Sequence, residues 1–361
     1  MTLSELSEAR PITRVLVTGG AGSVGLEVLK ELQLQKKWYD VKVLERNKSA
    51  VLRKLKPFRK DFHLILGDLC DPDVLARATA DVDFVIHLAA VIPPLADQDP
   101  DLAETINVGG TRKLIEAIEK RSPQAFFLFT SSISVYGDRV YNPWITVDDP
   151  LLPSDGDEYA ETKIRAERIV QKSRLKWSIF RLAAIMGPQT RLDPLFFQMP
   201  LDTSLEIASA RDTGFAIIES IYHQTELRGK IFNLSGGEKC RSTYREFLLR
   251  AFDAMGLRNL DLPDKAFAQR NFHCGNYLDS EILEEILHFQ QDSLEDYFQM
   301  LTQKSTYAGK VLNFIFQAFI KLFLLTKSEP LRARRTKNLA QISRFFYSHQ
   351  SAVGSLQKTA D

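Results

Sequence analysis

The chain has 361 residues, of which 44% are hydrophobic, so it can bury the core of one α/β unit with an appended lobe. Its net charge of +1 gives no sign of a nucleic-acid or strongly acidic partner. Cys70, Cys240 and Cys274 lack metal-ligand spacing, and so odd and sparse a set of cysteines indicates reduced thiols in a cytoplasmic protein. Residues 1–14 contain no apolar run behind a basic start, so we expect no secretory signal.

The first half of the chain alternates short β-branched and aromatic runs with longer helical patterns. Strands are predicted at residues 15–18, 41–44, 64–66, 84–87, 126–130 and 178–181. Helices are predicted at residues 23–36, 72–79, 101–121 and 158–173. This alternation, with right-handed crossovers, predicts an α/β fold: a doubly wound parallel Rossmann sheet with helices on both faces.

The second half is less regular and predicts a small C-terminal substrate lobe. A strand is expected at 230–234 and helices at 243–255 and 293–303, while Asp279 is expected to cap the helix SEILEEIL. The predicted division is a dinucleotide-binding domain at 1–188 to which 203–235 returns, a lobe at 189–306, and an apolar and basic helical tail at 307–361.

A glycine-rich turn follows the first predicted strand. The sequence TGGAGSVG runs from Thr18 to Gly25 and opens directly into a predicted helix. Tight turning and close backbone approach to a pyrophosphate both need glycine, and the positive end of the helix favours the anion. The loop therefore predicts a dinucleotide site that includes Gly19, Gly22, Ser23, Val24 and Gly25.

The second predicted strand ends at Glu45, twenty residues after Gly25. A carboxylate at this position accepts hydrogen bonds from the ribose hydroxyls of adenosine and repels a 2′-phosphate, which favours NAD. Arg46 follows immediately and offers the alternative of pairing with that phosphate, so NADP remains the second choice.

A tyrosine and a lysine lie four residues apart in a predicted helix, which places Tyr159 and Lys163 on one face. A free phenol is a poor base at neutral pH, and an adjacent ammonium is expected to lower its pKa. Ser132, at the end of the fifth predicted strand, is expected to hydrogen-bond the same substrate oxygen. These three residues predict a proton-transfer site next to the dinucleotide.

The chain resembles the extended short-chain dehydrogenases/reductases, which include nucleotide-sugar epimerases and dehydratases and 3β-hydroxysteroid dehydrogenases. The matching segments cover about residues 12–300 in the family's order: TGGAGSVG, GDLCD at 67–71, HLAA at 87–90, NVGGT at 107–111, SSISVYG at 131–137, YAETK at 159–163 and RLAAIMGP at 181–188.

The resemblance implies roles for individual residues. Asp68 and Leu69 would flank the adenine, whereas Leu88, Ala89 and Ala90 would line the ribose and pyrophosphate. Ser132, Tyr159 and Lys163 would form the catalytic set, with Tyr159 and Lys163 also contacting the cofactor and Lys163 holding the nicotinamide ribose. Asn107 would anchor a helix, and homodimers would form through the helices at 101–121 and 158–173.

Three functions remain open on these grounds. The leading one is an NAD(P)-dependent oxidoreductase that acts on a secondary alcohol or ketone. The second is a nucleotide-sugar epimerase or dehydratase that holds NAD tightly, although only about twenty residues separate Pro188 from Ala210, where such enzymes usually carry a longer insert. The third is a non-catalytic cofactor-binding protein, whose usual mark would be a degraded tyrosine–lysine pair.

Further candidates are weaker. Substrate contacts are expected from 92–95, Tyr136, Met186 and the 189–200 loop, because they follow strand ends. We interpret His273 as structural, and Arg211 and Asp212 as anchors of the lobe. No metal site is expected, because no His, Cys and carboxylate cluster has ligand spacing.

The segment 307–326 is predicted to be a helix, and the family resemblance does not explain it. Its polar residues Lys310, Asn313, Gln317 and Lys321 form one narrow stripe on an otherwise apolar surface. A basic cluster follows at 332–337, with Arg332, Arg334, Arg335 and Lys337, and it would suit an anionic lipid surface. We weigh peripheral membrane contact through 307–337, a membrane span, and packing on the protein's own lobe or a second subunit.

Overall fold

The structure, a computed structural model, describes residues 11–187, 194–258 and 260–346. In these residues the strands are β1 (Thr13–Thr18), β2 (Tyr39–Glu45), β3 (His63–Leu66), β4 (Phe84–His87), β5 (Phe126–Ser132), β6 (Trp144–Ile145), β7 (Lys176–Leu182), β8 (Ala184–Met186), β9 (Ser204–Ser209), β10 (Lys230–Leu234), β11 (Arg241–Thr243) and β12 (Asn276–Tyr277).

The α-helices of the same residues are α1 (Ser23–Leu34), α2 (Ser49–Lys54), α3 (Pro72–Ala78), α4 (Leu95–Gln98), α5 (Pro100–Ala103), α6 (Thr111–Arg121), α7 (Glu158–Lys172), α8 (Ala210–Glu219), α9 (Gln224–Leu227), α10 (Tyr244–Ala254), α11 (Ser280–Leu287), α12 (Leu294–Lys304), α13 (Tyr307–Lys327), α14 (Glu329–Thr336) and α15 (Leu339–Phe345).

Seven parallel strands form the main sheet in the order β10-β7-β5-β4-β1-β2-β3. Their apolar runs are buried on both faces, as parallel sheets with helical crossovers require. One apolar core lies between the sheet and α1 and α8, and a second lies between the sheet and α3, α6 and α7. This confirms the doubly wound Rossmann fold predicted from the alternating pattern.

The lobe carries its own apolar core. Strands β8, β9 and β11 form a small sheet, and β12 pairs with β6. Aromatic side chains from the 3₁₀ turn at 194–198, from α10 and from α12 pack together, including Phe197, Phe252 and Phe298. In the segment 203–235, β9 joins this small sheet, whereas α8 packs on α1 and β10 joins the main sheet. The domain boundaries themselves stay a prediction, and residues 188–193 lie outside the described ranges.

Two local expectations need correction. The predicted helix at 101–121 contains a π-helical segment, Glu104–Gly110, between α5 and α6. Asp279 does precede α11, but its side chain does not cap that helix. Its carboxylate instead accepts hydrogen bonds from the Val147 amide (2.6 Å) and from the Asn233 side chain (2.8 Å). The carboxylate therefore joins the lobe to the end of the main sheet.

The last described helices fold back onto the lobe. The Ser328 hydroxyl at the start of α14 donates to the Ala266 carbonyl (2.6 Å), and the Gln269 amide donates to the carbonyl of Phe345 in α15 (2.7 Å). Phe345 and Phe346 are buried against Ala268. The tail at 307–346 is thus docked on the lobe along α14 and α15, and residues 347–361 lie outside the described part of the chain.

Candidate active site

The glycine loop joins β1 to α1 at the carboxyl edge of the sheet. Gly19 has a φ of +77°, and a Cβ there would lie 2.6 Å from the Ala89 amide nitrogen. A Cβ on Gly25 would lie 2.3 Å from the Gly19 carbonyl oxygen. Gly22 starts α1 without any side-chain cap, so the first amides of the helix, from Ser23 and Val24 onward, are left for a ligand. The cradle fits a pyrophosphate.

Glu45 reaches from the end of β2 into this loop. One carboxylate oxygen accepts a hydrogen bond from the Ala21 amide (2.7 Å), and the side chain is half-buried. Arg46 is exposed. Lys54 of α2 donates to the Ala21 carbonyl (3.0 Å), so the backbone of Ala21 binds both a cation, Lys54, and the carboxylate of Glu45. Sequence reasoning missed Lys54, because it follows Glu45 by nine residues in a separate short helix.

The other expected cofactor-binding residues lie at the ends of neighbouring strands. Leu88, Ala89 and Ala90 follow β4, where the Leu88 amide donates to the Thr18 carbonyl (3.1 Å) beside the glycine loop. Asp68 is exposed after β3, and its carboxylate accepts from the Cys70 amide (2.7 Å). Leu69 is buried. Because β3, β2, β1 and β4 are adjacent, these residues border one edge of the sheet.

A buried histidine hydrogen-bonds both the end of β1, next to the glycine loop, and the start of α6. His87 bonds Thr18 through Nδ1 (2.7 Å) and Thr111 through Nε2 (2.9 Å). The Thr111 hydroxyl already donates to the Asn107 carbonyl (2.6 Å), so it accepts from Nε2, which carries a proton. Burial and, next, the charge of Lys163 lower the pKa of His87 to about 3, which agrees with a structural role.

Ser132, Tyr159 and Lys163 meet beside the end of β5. Tyr159 hydrogen-bonds with Ser132. The Lys163 ammonium lies 5.7 Å from the centre of the Tyr159 ring and donates to the Thr130 carbonyl (2.8 Å). Lys163 is buried, whereas Tyr159 is half-buried. The structure therefore brings together all three residues of the expected catalytic set.

The electrostatics of the set differ from the sequence-based expectation. Burial raises the pKa of the Tyr159 phenol above its ordinary value; the hydrogen bond with Ser132 opposes this, and the Asp157 carboxylate adds to it. Burial lowers the pKa of Lys163 to about 8, against the pull of Glu167. Desolvation thus raises the tyrosine pKa, where the sequence predicted a lowering by Lys163, and the spacing of Tyr159 and Lys163 could not reveal this burial.

Two carboxylates, one from the residue before α7 and one from α4, bind backbone amides in the first turn of α7. Asp157 caps the helix by accepting from the Ala160 amide (2.9 Å). Asp97 accepts from the backbone of Tyr159 and of Glu158, and burial raises the pKa of this carboxyl. Sequence reasoning missed both residues. The Asp-x-x-Ala spacing before the helix was a usable capping signal for Asp157, whereas Asp97 is remote in the chain.

Asn107 anchors the same helix, as the resemblance implied. Its side-chain oxygen accepts from the Val91 amide (2.7 Å), and its nitrogen donates to the Val91 carbonyl (2.9 Å) and the Thr162 hydroxyl (3.0 Å). The side chain is buried inside the π-helical segment, and such segments often occur at functional sites. Asn107 therefore fixes α7 against the chain that follows β4.

The structure does not support the expectation that Tyr136 contacts substrate. Its side chain is 2% exposed, its hydroxyl donates to Asn233 (2.8 Å), and it accepts from Arg181 (2.7 Å). Arg181 also forms a buried, two-pronged ion pair with Glu167 (2.8 and 3.1 Å). This network belongs to the core beneath the site.

The other predicted substrate contacts lie at the surface or on the lobe. Ile92 and Leu95 are 59% and 46% exposed beyond β4, and Met186 packs on the lobe core. Residues 189–193 of the 189–200 loop lie outside the described ranges. His273 lies with Nδ1 2.9 Å from the Asp157 carboxylate. Asp212 is buried and accepts from the Gln291 (3.0 Å) and Asp292 (2.7 Å) amides, in agreement with an anchoring role. The Arg211 guanidinium pairs with Asp292 at the surface.

Among the described residues, no group of His, Cys, Asp and Glu side chains is arranged to hold a metal ion.

The fold and the Ser132–Tyr159–Lys163 cluster beside a glycine cradle define the class of short-chain dehydrogenase/reductase-like proteins. Residues 15–198 match the model of the NAD dependent epimerase/dehydratase family. The chain belongs to this family, and it confirms the resemblance drawn from the motifs.

Individual relatives place the chain within a broad family. It is 32% identical over 176 residues to a 3 beta-hydroxysteroid dehydrogenase/Delta 5-->4-isomerase of Mycobacterium tuberculosis, covering 46% of this chain and 45% of that protein. It is 29% identical over 190 residues to an uncharacterized membrane protein of Methanocaldococcus jannaschii, covering 50% and 51%. The chain thus spans about half the length of these relatives.

A solved structure supports the fold over a longer region. UDP-glucuronic acid 4-epimerase from Bacillus cereus, in complex with UDP-glucuronic acid and NAD, superposes with a TM-score of 0.66. The match covers 81% of this chain and 99% of the epimerase, at 20% sequence identity. At that identity the likeness concerns the fold.

Proposed function

We propose that the protein is an NAD(H)-dependent oxidoreductase that interconverts a secondary alcohol and a ketone. The observation that carries the proposal is the convergence of two sites on one sheet edge. The glycine cradle follows β1, Ser132 ends β5, and β4 with Leu88 lies between them. Ligands of doubly wound folds bind at this carboxyl edge, so a dinucleotide and a substrate would share the cleft.

The residues of the chain have separable tasks in this reaction. A bound nicotinamide would supply the hydride acceptor or donor. Ser132 binds the substrate oxygen, and Tyr159 moves a proton between its phenol and that oxygen. Lys163 carries the positive charge that favours the phenolate, and the Thr130 carbonyl holds its ammonium in place. Asp97 and Asp157 orient the first turn of α7, so that Tyr159 keeps its position.

NAD is the proposed cofactor, with NADP as the alternative. The glycine cradle would hold the pyrophosphate, and Glu45 would accept from the adenosine ribose. The Glu45 carboxylate opposes a 2′-phosphate, whereas Arg46 and Lys54 offer it positive charge. The direct contact of Glu45 with the loop supports NAD.

The test uses the full-length chain and works without an identified substrate. Titration with NADH, followed by fluorescence, is expected to show saturable binding, and a panel of secondary alcohols and ketones is expected to give net NADH formation or consumption. Absence of NADH and NADPH binding would overturn the proposal. NAD that stays bound through purification, with sugar-nucleotide turnover and no net NADH, would favour the epimerase or dehydratase instead.

Location and assembly complete the proposal. We propose that this enzyme-like protein works in the cytoplasm at a membrane surface, because a long C-terminal helix turns apolar residues outward. We also propose a homodimer through α6 and α7, the helices by which the resemblance implies that relatives pair. Light scattering of the purified protein tests the dimer, and a monomeric mass at working concentration would contradict it.

A further inference from the structure

Helix α13 is amphipathic in the reverse of the usual sense. Its polar stripe faces the protein: the Asn313 side chain donates to the Met255 carbonyl (2.8 Å), and Gln317 and Lys321 are half-buried. The backbone of Lys310 lies against Gly256, where a Cβ would come within 2.7 Å of the Lys310 Cα. One turn from the end of the helix, Leu324 is buried in the lobe core. The helix is therefore docked along its length.

The opposite face of α13 consists of large apolar side chains in solvent. They are between 40% and 85% exposed: Tyr307, Val311, Leu312, Phe314, Ile315, Phe316, Phe319, Leu322 and Phe323. Only 6% of the most apolar window of the helix is buried. A contiguous apolar surface of this kind marks an interaction site, because it cannot stay in water without cost.

The charge around this face indicates what covers it. Residues 307–346 contain eight basic residues and one acidic residue, in a chain whose net charge is only +1. Arg335 and Lys337 are exposed in the part of the tail that follows α13. A two-fold dimer through α13 would bring two such basic segments together, whereas an anionic bilayer would attract them.

The docked geometry also distinguishes lying on a membrane from crossing it. The helix is long and apolar enough to span a bilayer by length and composition. To do so it would have to leave the lobe, expose Asn313 and Gln317 to lipid, and carry Lys321 into the hydrocarbon. Each of these changes is unfavourable.

We infer that the outward face of α13 is a docking surface for a bilayer rich in anionic lipid, in which the helix lies parallel to the membrane plane. The apolar side chains enter the boundary between headgroups and acyl chains, and the basic residues of 332–337 bind lipid phosphates and carboxylates. This inference deepens the proposed location, on which it rests, and is independent of the proposed chemistry.

The tail that contains α13 also reaches the neighbourhood of the catalytic helix α7. From the end of α13 the chain passes through α14 to α15, which contains Arg344. The Arg344 guanidinium lies beside Gly156 in the loop before α7, and its central carbon would be 3.5 Å from a Cβ placed on that glycine. Tyr159 follows that loop by three residues. The docked helix and the catalytic helix are thus connected through two short helices, α14 and α15, that pack on the lobe.

Flotation of the full-length protein with vesicles tests the inference. The protein is expected to float with vesicles of phosphatidylcholine and phosphatidylserine, and to bind pure phosphatidylcholine at least about tenfold more weakly. The triple substitution Phe316→Ser, Phe319→Ser and Phe323→Ser is expected to weaken binding to the anionic vesicles by roughly tenfold or more, on the order of a lost apolar anchor. A matched control replaces exposed apolar residues elsewhere, with Leu34→Ser, Leu249→Ser and Ile282→Ser, and is expected to bind like the wild type.

Charge is tested separately. Arg335→Glu with Lys337→Glu is expected to remove the preference for phosphatidylserine, whereas Lys60→Glu with Arg228→Glu, at exposed sites on the main domain, is expected to keep it. NADH binding is measured on every variant. Unchanged NADH binding shows that the variants fold, and it separates failure of the docking surface from failure of the proposed chemistry.

Several results would overturn the inference. One is a wild type that ignores anionic vesicles, and another is a triple-serine variant that binds them as well as the wild type does. A dimer that the triple-serine variant converts to monomer, without any vesicle binding, would assign the face to a second copy. Resistance to extraction at alkaline pH, with the C-terminus on the far side of the bilayer, would assign it to a membrane span.

Discussion

Lys163 lies one helical turn after Tyr159, and its ammonium sits 5.7 Å from the centre of the tyrosine ring while it donates to the Thr130 carbonyl. The two residues are therefore neighbours without a direct hydrogen bond. Burial acts on both: it raises the pKa of the phenol and lowers the pKa of the ammonium to about 8. The protein thus keeps a charged group in its interior beside the site where proton transfer is proposed.

Replacing Lys163 with methionine is expected to stabilise the fold at neutral pH. The lysine pKa is about 8 in the folded protein and 10.5 unfolded, so below pH 8 the folded state carries the full cost of a buried charge. One pKa unit corresponds to roughly 1.4 kcal/mol, which gives a gain of about 1–3 kcal/mol once the lost bond to Thr130 is allowed for. Urea unfolding at pH 7 measures this gain.

The stability difference between Lys163→Met and the wild type is expected to depend on pH. Between pH 8 and 10.5 the unfolded lysine binds more protons than the folded one, so its contribution to the free energy of unfolding becomes more favourable as pH rises. The gap between Lys163→Met and the wild type is expected to shrink across this window. A Lys172→Met variant, at an exposed position of α7, is the control and should show no such trend. A constant gap from pH 7 to pH 10 would contradict the buried charge.

Glu45→Gln is expected to weaken the preference for NADH over NADPH. The substitution keeps the shape of the side chain and removes the charge that opposes a 2′-phosphate. Calorimetry should show tighter binding of NADH than NADPH by the wild type and a smaller difference in the variant. Glu281→Gln, at an exposed position of α11, controls for general loss of charge. Tighter binding of NADPH by the wild type would reverse the cofactor assignment and favour Arg46 and Lys54 as phosphate ligands.

Removal of one partner from the buried ion pair between Arg181 and Glu167 is expected to destabilise the fold strongly. Both side chains are buried, and removal of one carboxylate leaves the guanidinium without its partner. Glu167→Ala is therefore expected to cost about 3–5 kcal/mol in the free energy of unfolding. The double variant Glu167→Leu with Arg181→Met is expected to recover much of that loss. A double variant no more stable than Glu167→Ala would contradict this account.

The main sheet is well predicted from the sequence because its strands are continuous apolar runs between clear helical patterns. The predicted strands at 84–87 and 230–234 coincide with β4 and β10. The ends of the helices and the hydrogen-bond partners of individual side chains are harder to predict. Asp279 has the residue type of a helix cap, yet partners that are distant in sequence, Val147 and Asn233, take its carboxylate.

The site shows the same division between local and long-range information. Motif spacing predicts that Ser132, Tyr159 and Lys163 come together, and the structure places them so. The hydrogen bonds of the Tyr136 hydroxyl with Asn233 and Arg181 join residues far apart in the chain, so the sequence around Tyr136 does not predict them. The stripe on α13 was visible in the sequence, but which face packs on the lobe was not, because periodicity gives faces and not their partners.

Tyr159→Phe tests the central claim most directly. On the alcohol or ketone that gives the largest NADH signal in the wild type, the variant is expected to lose at least about a hundredfold in kcat, as loss of a general acid–base group predicts. Its affinity for NADH is expected to change little, because the ring remains. Tyr297→Phe, on α12 in the lobe core, serves as the matched control and should keep full activity. A Tyr159→Phe variant with near wild-type kcat would contradict the assignment of proton transfer to this site.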